Sequence, residues 1–352
     1  MGIGERVKSA RIMAGMSQRA LASQVGVSAQ AISKYERDMD VPGSGILIKL
    51  ANTLGVKSEY FFRPGIISVE NLTYRKRVSL STKEANRVLH HIREWLERYI
   101  EIEQILGVKQ IFSRMKLPVS SPGDIEGAAV SLRKKWNLGL HPIDNLTETL
   151  EEHAIKVGLV DGPEDFDACV LWTDDRIPVI ALKRDLCGDR QRFNMAHELG
   201  HVYVRNQTNM DTEKLAHRFA GAFLAPESSV YNELGRHRNH ISIYELHMLK
   251  HKYGLSMQGW IYRAKDLGII SESRAQGYFR KFRRRGRHLR EPGDQLPSEE
   301  PKRLERLIVR ALSEQIITQT RAAELLGKSL RHFHEEEAEQ HGESVVDVGS
   351  RC

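Results

Sequence analysis

The chain has few cysteines and no long apolar run. Among its 352 residues are three cysteines, Cys169, Cys187 and Cys352, whose spacing indicates neither a disulfide framework nor a cysteine zinc site. A run of about 18 apolar residues, which a membrane helix needs, is absent, and the first residues lack the apolar part of a secretion signal. We therefore expect a soluble, cytoplasmic protein with no membrane partner.

The charge balance is basic. Lysine and arginine exceed aspartate and glutamate by seven, which gives a net charge of +7. Such a balance favours an anionic partner such as nucleic acid, although a uniformly basic surface would give the same figure. The length predicts two or three domains, each with its own core.

The most informative motif is HELGH at residues 197–201. On a helix, His197 and His201 at positions i and i+4 share one face, where two imidazoles can bind one Zn²⁺. Glu198 lies beside that pair, where its carboxylate can deprotonate a zinc-bound water. Mn²⁺ is the alternative metal. Because the chain has fifteen histidines, the same spacing can also arise by chance, so the surrounding sequence must decide.

The surrounding sequence favours a site. Residues 189–203 contain apolar side chains at helical spacing, with no proline, so the motif belongs to an amphipathic helix. Gly200 is costly in a helix interior. We interpret it as a point where another backbone or a ligand approaches closely.

A catalytic zinc has three protein ligands and one open position. The next predicted helix begins near Asp211 and ends before Pro226, and its small residues would allow close packing. Glu213 at its start is the favoured third ligand. His217, four residues later, is the competing candidate.

Residues 192–226 resemble a known family. RFNMAHELGH at 192–201, followed by Glu213, Ala216 and Phe219-Ala220, looks like the ImmA/IrrE metallopeptidases, bacterial zincins that cleave repressor proteins. The resemblance extends over roughly residues 125–270. It implies that His197, His201 and Glu213 bind zinc and that Glu198 is the general base. The chain departs from the family where His217 replaces the usual Asn and Ala225 the usual Met.

The first sixty residues predict a second module. Ser17 caps one helix, Gly26 turns the chain and Ser28 caps the next helix, which is a helix-turn-helix pattern. The pattern resembles the Cro/repressor-type (XRE) DNA-binding domain over residues 3–62, which implies double-stranded DNA as a partner and the second helix in the major groove. The candidate contacts are Gln30, Ser33, Lys34 and Arg37 to bases, and Ser17, Gln18, Arg19 and Ser28 to phosphates. The alternative is a small helical domain with a solvated polar face.

The predicted fold class is mainly α with a small β-sheet. A five-helix repressor-type domain (1–65) precedes a helical connector (66–120), which is either a packing helix or a dimerisation helix. A zincin-like domain with a helix-turn-helix-like end (121–272) follows. The end of the chain (273–352) is predicted to hold a basic linker, a helical pair and a tail that is disordered from His332.

Two further segments suggest binding surfaces. One of the predicted strands, at residues 170–172 or 178–180, is a candidate edge for pairing with an extended substrate. The basic segment, residues 278–290, combines arginines with two phenylalanines, a composition that can grip phosphates and stack bases. The alternative for the basic segment is a solvated linker.

Together these features predict a DNA-binding zinc metallo-endopeptidase that cleaves a specific regulatory protein, a repressor or an antitoxin-like partner. The alternative is a transcription regulator whose zincin-like domain senses a ligand or binds a partner without cleavage, in the setting of a toxin-antitoxin operon. A homodimer is an open possibility, because repressor-type DNA readers usually bind as dimers.

Overall fold

The computed structural model describes residues 2–63 and 80–341, with side chains in the final helix described to residue 336. The described residues fall into two compact units. One unit holds the described parts of Met1–Glu70, Leu80–Gln110 and Lys302–Cys352, and the other holds Ile111–Pro301. The expected boundary at residues 65 and 66 and the tail beyond residue 341 lie outside the described residues. Helices dominate both units, which confirms the predicted fold class.

The first unit begins with the helix-turn-helix domain. Its five helical segments are α1 (Ile3–Met13), α2 (Gln18–Val25), α3 (Ala29–Glu36), α4 (Ser44–Leu54) and a 3₁₀-helix η1 (Ser58–Phe62). The Ser17 and Ser28 hydroxyls accept the backbone N–H of Ala20 and Ala31, both at 3.1 Å, and so cap α2 and α3. Gly26 ends α2 at a positive φ of 80°, which glycine adopts without strain. The local sequence therefore determines this turn.

A long helix, α5 (Thr82–Ile105), is an integral part of the first unit. On α1, the buried Arg6 donates to Glu97 of α5 at 2.5 Å. Three later helices also belong to this unit: α14 (Arg303–Ser313), α15 (Gln319–Leu326) and α16 (Leu330–His341). Together with α5 they enclose a small core that includes Tyr99, Ile308 and Phe333. Disorder was predicted from His332 onwards, but the structure has a helix there, because the buried Phe333 holds α16 against this core.

The second unit is built around a three-stranded sheet. Its strands are β2 (Lys156–Val160), β3 (Ala168–Trp172) and β4 (Pro178–Lys183), in the order β2-β4-β3. β4 is parallel to β2 and antiparallel to β3, with Val170 opposite Ile180. Residues 178–180 are therefore central and not an edge, so the suggestion that they pair with a substrate was wrong. Two short strands, β1 (Leu117–Val119) and β5 (Val204–Asn206), pair in parallel.

Eight helices in the described part of the second unit surround these strands. They are α6 (Asp124–Lys135), α7 (Leu146–Glu152), α8 (Gly188–Tyr203), α9 (Thr212–Leu224), α10 (Glu227–Leu234), α11 (Ile243–Tyr253), α12 (Met257–Asp266) and α13 (Glu272–Arg284). α8 packs against β3, β4 and α9. No helix among the described residues is both long and apolar enough to cross a membrane.

The residues after α13 cross the surface of the second unit without regular secondary structure. Buried Glu291 accepts the backbone N–H of Met257 at 2.9 Å and of Gln258 at 3.0 Å, at the start of α12. Glu299 accepts the N–H groups of Leu146 and Thr147 at the start of α7. Two carboxylates thus cap two helices that are distant in sequence. This segment, expected to be a linker, is a structural part of the unit.

The basic segment also differs from its prediction. Residues 278–284 belong to α13. Phe282 is buried in the core, and the Tyr278 hydroxyl bonds to the backbone of Ile241. Phe279 packs against Tyr262, with ring centroids 4.5 Å apart. These rings therefore pack against the protein, and the expectation that the segment's phenylalanines stack bases was wrong.

Candidate metal centre and DNA-facing surface

The HELGH motif lies in the second half of α8, which is buried along most of its length. His197 is fully buried, and Glu198 is 3% exposed. Burying two imidazoles and a carboxylate on one stretch of helix costs free energy unless these groups have hydrogen-bond, charged or metal partners.

Close packing of two helices brings the third candidate ligand to this motif. A β-carbon built on Gly200 would lie 3.1 Å from the Cα and 3.3 Å from the Cβ of Ala216 on α9. Only glycine on one helix and a small residue on the other permit this approach. The interpretation of Gly200 as a point of close backbone approach fits this contact.

Asp211 sets the start of α9 by accepting the N–H of Glu213 at 2.9 Å and of Lys214 at 3.4 Å. Glu213 therefore lies in the first turn of α9, beside α8. Its Oε2 is 3.3 Å from His197 Nε2, and its Oε1 is 3.2 Å from His201 Nε2. The two imidazole Nε2 atoms are 3.0 Å apart.

The donor atoms of these three side chains are spaced as the ligands of a metal ion are. Donors at about 2.0–2.1 Å from a tetrahedral zinc are separated by about 3.3–3.4 Å, close to the three distances above. Two imidazoles and one carboxylate also form a common catalytic zinc set. Within residues 2–63 and 80–336, no other group of three or more His, Cys, Asp or Glu side chains converges in this way. Glu213 is 42% exposed, which makes this side of the cluster accessible to solvent.

His217 lies one turn after Glu213 and next to the cluster. Its ring centroid is 4.5 Å from that of His197 and 5.6 Å from that of Phe193, and its side chain is exposed. It is not part of the converging set of donors. Glu213 therefore belongs to the converging donors, and His217 does not.

Besides His217, two tyrosines of this domain carry a hydrogen-bond donor, Tyr203 and Tyr231, and both have other partners. Tyr203 is 1% exposed and packs against Trp136 and Phe112. The Tyr231 hydroxyl donates to the Leu267 carbonyl at 3.2 Å. Of the three residues, His217 alone is both exposed and in ring contact with the cluster.

A buried thiol lies beneath α8. Burial and the nearby Glu198 carboxylate raise the pKa of Cys169 on β3 well above its usual range. The thiol therefore stays protonated at neutral pH, and a protonated thiol is a poor metal ligand.

A cleft of about 510 Å³ opens beside His201. It is lined by Lys116, Gly200, His201, Val204, Arg205, Asn206, Thr212, Leu215 and Ala216. These residues come from α8, β5 and α9, and from the chain just before β1. The cleft is mixed in polarity, which suits a peptide better than a purely apolar ligand.

The predicted DNA contacts lie on or near α3. Gln30, Lys34 and Arg37 are exposed, and Ser33 is partly buried. Arg37 Nε also donates to the Ser33 carbonyl at 3.0 Å. Arg19 is exposed on α2, and Ser28 caps α3.

Sequence reasoning missed a buried group that supports this surface. Glu36, at the end of α3, is 8% exposed. It accepts from Arg11 of α1 and, at 2.7 Å, from Gln18 Nε2 of α2. One carboxylate thus fixes α3 to both preceding helices. No local pattern indicated it, since Glu36 and Arg11 are 25 residues apart.

Family models match both units. The "Helix-turn-helix" family matches residues 7–61, and the "IrrE N-terminal-like domain" family matches residues 152–265. The chain is 30% identical over 94 residues to the HTH-type transcriptional regulator ImmR of Bacillus subtilis, covering 27% of this chain and 70% of ImmR. The chain belongs to the helix-turn-helix transcriptional regulators. It is a DNA-binding regulator that also carries an IrrE-like domain.

This regulator is also similar to a second regulator in sequence and to a solved structure. An uncharacterized transcriptional regulator in the ATPase CF(0) region of Rhodospirillum rubrum is 38% identical over 60 residues, which cover 17% of this chain and 56% of that protein. The crystal structure of Bacillus thuringiensis PlcR in complex with the peptide PapR7 and DNA covers 82% of this chain and 96% of that chain, at 14% identity. Its TM-score is 0.18.

Proposed function

We propose that this regulator is a zinc metallo-endopeptidase that cleaves a specific regulatory protein. The observation that carries the proposal is the triangle of donors at 3.0–3.3 Å formed by His197, His201 and Glu213. The IrrE-like domain in which the triangle lies supports it.

The ligands in this proposal are the Nε2 atoms of His197 and His201 and the Glu213 carboxylate, with Mn²⁺ as the alternative to Zn²⁺. When bound, the metal supplies Lewis acidity, which polarises a carbonyl group and makes water a stronger acid. The partial exposure of Glu213 is consistent with an open position for substrate.

The chain's own residues provide the proton transfer. Glu198 is not one of the metal ligands in our proposal. Its carboxylate accepts a proton from the attacking water. It then returns that proton to the leaving amine. His217 would donate a hydrogen bond to the substrate carbonyl, since it is the exposed donor beside the cluster. The cleft beside His201 would receive the peptide.

We further propose that α3 enters the major groove. Gln30, Ser33, Lys34 and Arg37 would contact base edges. Gln18, Arg19 and Ser28 would contact phosphates. Glu36 would hold Gln18 and α3 in this arrangement. A homodimer on a two-fold operator follows the usual mode of such domains.

Metal analysis tests the first step. Purified wild-type protein is expected to hold about one zinc per chain, measured by mass spectrometry, and Glu213→Gln to lose it. Lys214→Gln, an exposed neighbour on α9, is the control and should keep it. Retention of zinc by Glu213→Gln would refute the proposed ligand set.

Proteomics of new protein N-termini tests the second step. Cells that express wild-type protein are compared with cells that express Glu198→Gln, and a neo-N-terminus found only with wild type identifies the cleaved protein. The variant should retain zinc and DNA binding. If the two strains yield the same N-termini and regulate the same genes, the domain is a non-proteolytic sensor or partner-binding module.

A further inference from the structure

The basic segment, residues 278–290, is a concentrated source of charge. It has seven lysine or arginine residues and no acidic residue: Arg280, Lys281, Arg283, Arg284, Arg285, Arg287 and Arg290. Six of them are exposed, and Arg287 is partly exposed. Six of the seven are arginines, whose planar guanidinium groups match the geometry of phosphate oxygens.

These cations have no carboxylate partners in the part of the chain that the structure describes. Elsewhere in the same unit, exposed cations commonly pair, as Arg190 does with Asp167 at 2.6 Å and Lys252 with Glu233 at 2.6 Å. Seven like charges over such a short length repel one another, so an external anion would relieve an unfavourable arrangement.

Buried contacts hold the backbone of the basic segment in place. Phe282, in the middle of the segment, is 1% exposed in the core, and the Tyr278 hydroxyl accepts from the Ile241 N–H at 2.7 Å. Immediately after the segment, buried Glu291 caps α12 and pairs with Lys250. The basic segment therefore loses little conformational entropy on binding compared with a flexible basic tail.

We propose that the basic segment is a second nucleic-acid contact of this regulator, which binds the phosphate backbone without reading sequence. Its aromatic rings pack on the protein itself, so base stacking is not part of the contact. The same packing removes the apolar face that a membrane-surface helix would need. Duplex DNA fits best, because the chain is a DNA-binding regulator.

The test measures affinity of the full-length protein for a duplex of random sequence over a range of salt concentrations. The variant is Arg283→Gln/Arg284→Gln. The control, Lys134→Gln/Lys135→Gln, removes two adjacent exposed cations from the last turn of α6, another helix of the same unit. The two variants have equal net charge and the same relation to a helix terminus. The control removes lysines and not arginines, and one of them, Lys135, donates to Ser113 Oγ at 2.7 Å.

Each lost phosphate contact lowers the slope of log K against log salt by about 0.9 and weakens binding by about fivefold near 0.15 M salt. We expect the Arg283/Arg284 variant to lose one or two such contacts and the control to lose none. Arg283→Lys/Arg284→Lys keeps the charges and should keep the slope. Equal slopes for variant and control would overturn the proposal. If the Arg283/Arg284 variant lost the ability to bind phosphatidylserine vesicles while its DNA binding stayed unchanged, the proposal would be overturned in favour of a membrane surface.

Discussion

Gly200 on α8 and Ala216 on α9 lie so close that a β-carbon on the glycine would approach the alanine Cα to 3.1 Å. Gly200 immediately precedes His201, and Ala216 follows Glu213 by three residues. A close backbone approach of the two helices therefore lies next to the residues that form the donor triangle. The spacing of the helices at this point sets the distance from Glu213 to both imidazoles.

Replacing Gly200 by Ala should push α9 away from α8. Alanine is the better helix former, but the contact with Ala216 is tighter than ordinary van der Waals distance. The control is Gly127→Ala on α6, where a β-carbon would meet nothing within 4 Å. Because both changes gain the same helix propensity, their difference isolates the overpacking.

We expect Gly200→Ala to be less stable than Gly127→Ala by about 1–3 kcal/mol in denaturant unfolding. Only the Gly200 variant should bind zinc more weakly in a chelator competition. If the two variants matched in both measurements, the helix spacing would not determine the donor geometry.

Features that depend on neighbouring residues were predictable from the sequence. Ser17, Gly26 and Ser28 define the turn between α2 and α3 through contacts over three or four residues. The i, i+4 spacing of His197 and His201 likewise requires only a helix. The position of Glu213 in the first turn of α9 was predictable because this helix begins at a recognisable cap, Asp211.

Features that depend on distant residues were not predictable. β4 became the central strand because of pairing on both sides, which no local pattern encodes. Glu299 caps α7 from a distance of 153 residues in sequence. α16 is helical at a position where disorder was expected, since Phe333 finds a core contributed partly by α5.

Glu291 should be important for the stability of the second unit. Buried Lys250 pairs with Glu291 at 3.1 Å and with Asp189 at 3.0 Å. Glu291→Gln keeps the shape but replaces one of the two acceptor oxygens by an NH₂ group, and it leaves Lys250 with one carboxylate. We expect a loss of about 2–4 kcal/mol in unfolding free energy, because one N–H group at the start of α12 loses its acceptor and Lys250 loses a charge-assisted hydrogen bond.

Glu300, on the same segment, provides the comparison. Its side chain is exposed, so Glu300→Gln should change stability by no more than about 0.5 kcal/mol. Equal effects of the two substitutions in denaturant unfolding would mean that the segment is only a linker.

His90 on α5 should make the stability of the first unit depend on pH. Burial, followed by the nearby cations Arg93 and Lys8, lowers the pKa of His90 to about 4. In the unfolded chain the histidine has a pKa of about 6.5. Between these values the unfolded state binds more protons, so stability is complete above the upper value and falls as the pH drops through the window.

The expected loss is about 3 kcal/mol by pH 4, measured as unfolding free energy against pH. His90→Gln should flatten that curve. A comparison at pH 8, where His90 is neutral in both states, gives the cost of lost packing and of the 2.8 Å contact with Ser9 Oγ. An unchanged pH dependence in the variant would remove His90 as its source.

His217 should affect turnover and not metal binding. Its ring contacts that of His197, but it lies outside the converging donors. If it donates a hydrogen bond to the substrate carbonyl as charge develops there, His217→Ala should lower kcat by about 10²–10³ with little change in KM. Zinc content should stay at wild-type level. The substrate for this assay is an internally quenched peptide spanning the cleavage site found by N-terminal proteomics.

Tyr231→Phe is the matched comparison for His217→Ala, since it removes a hydroxyl that donates to the Leu267 carbonyl, and its kcat should stay near wild type. Loss of zinc from His217→Ala would instead make the residue a ligand, and an equal fall in kcat for both variants would deny His217 a specific role.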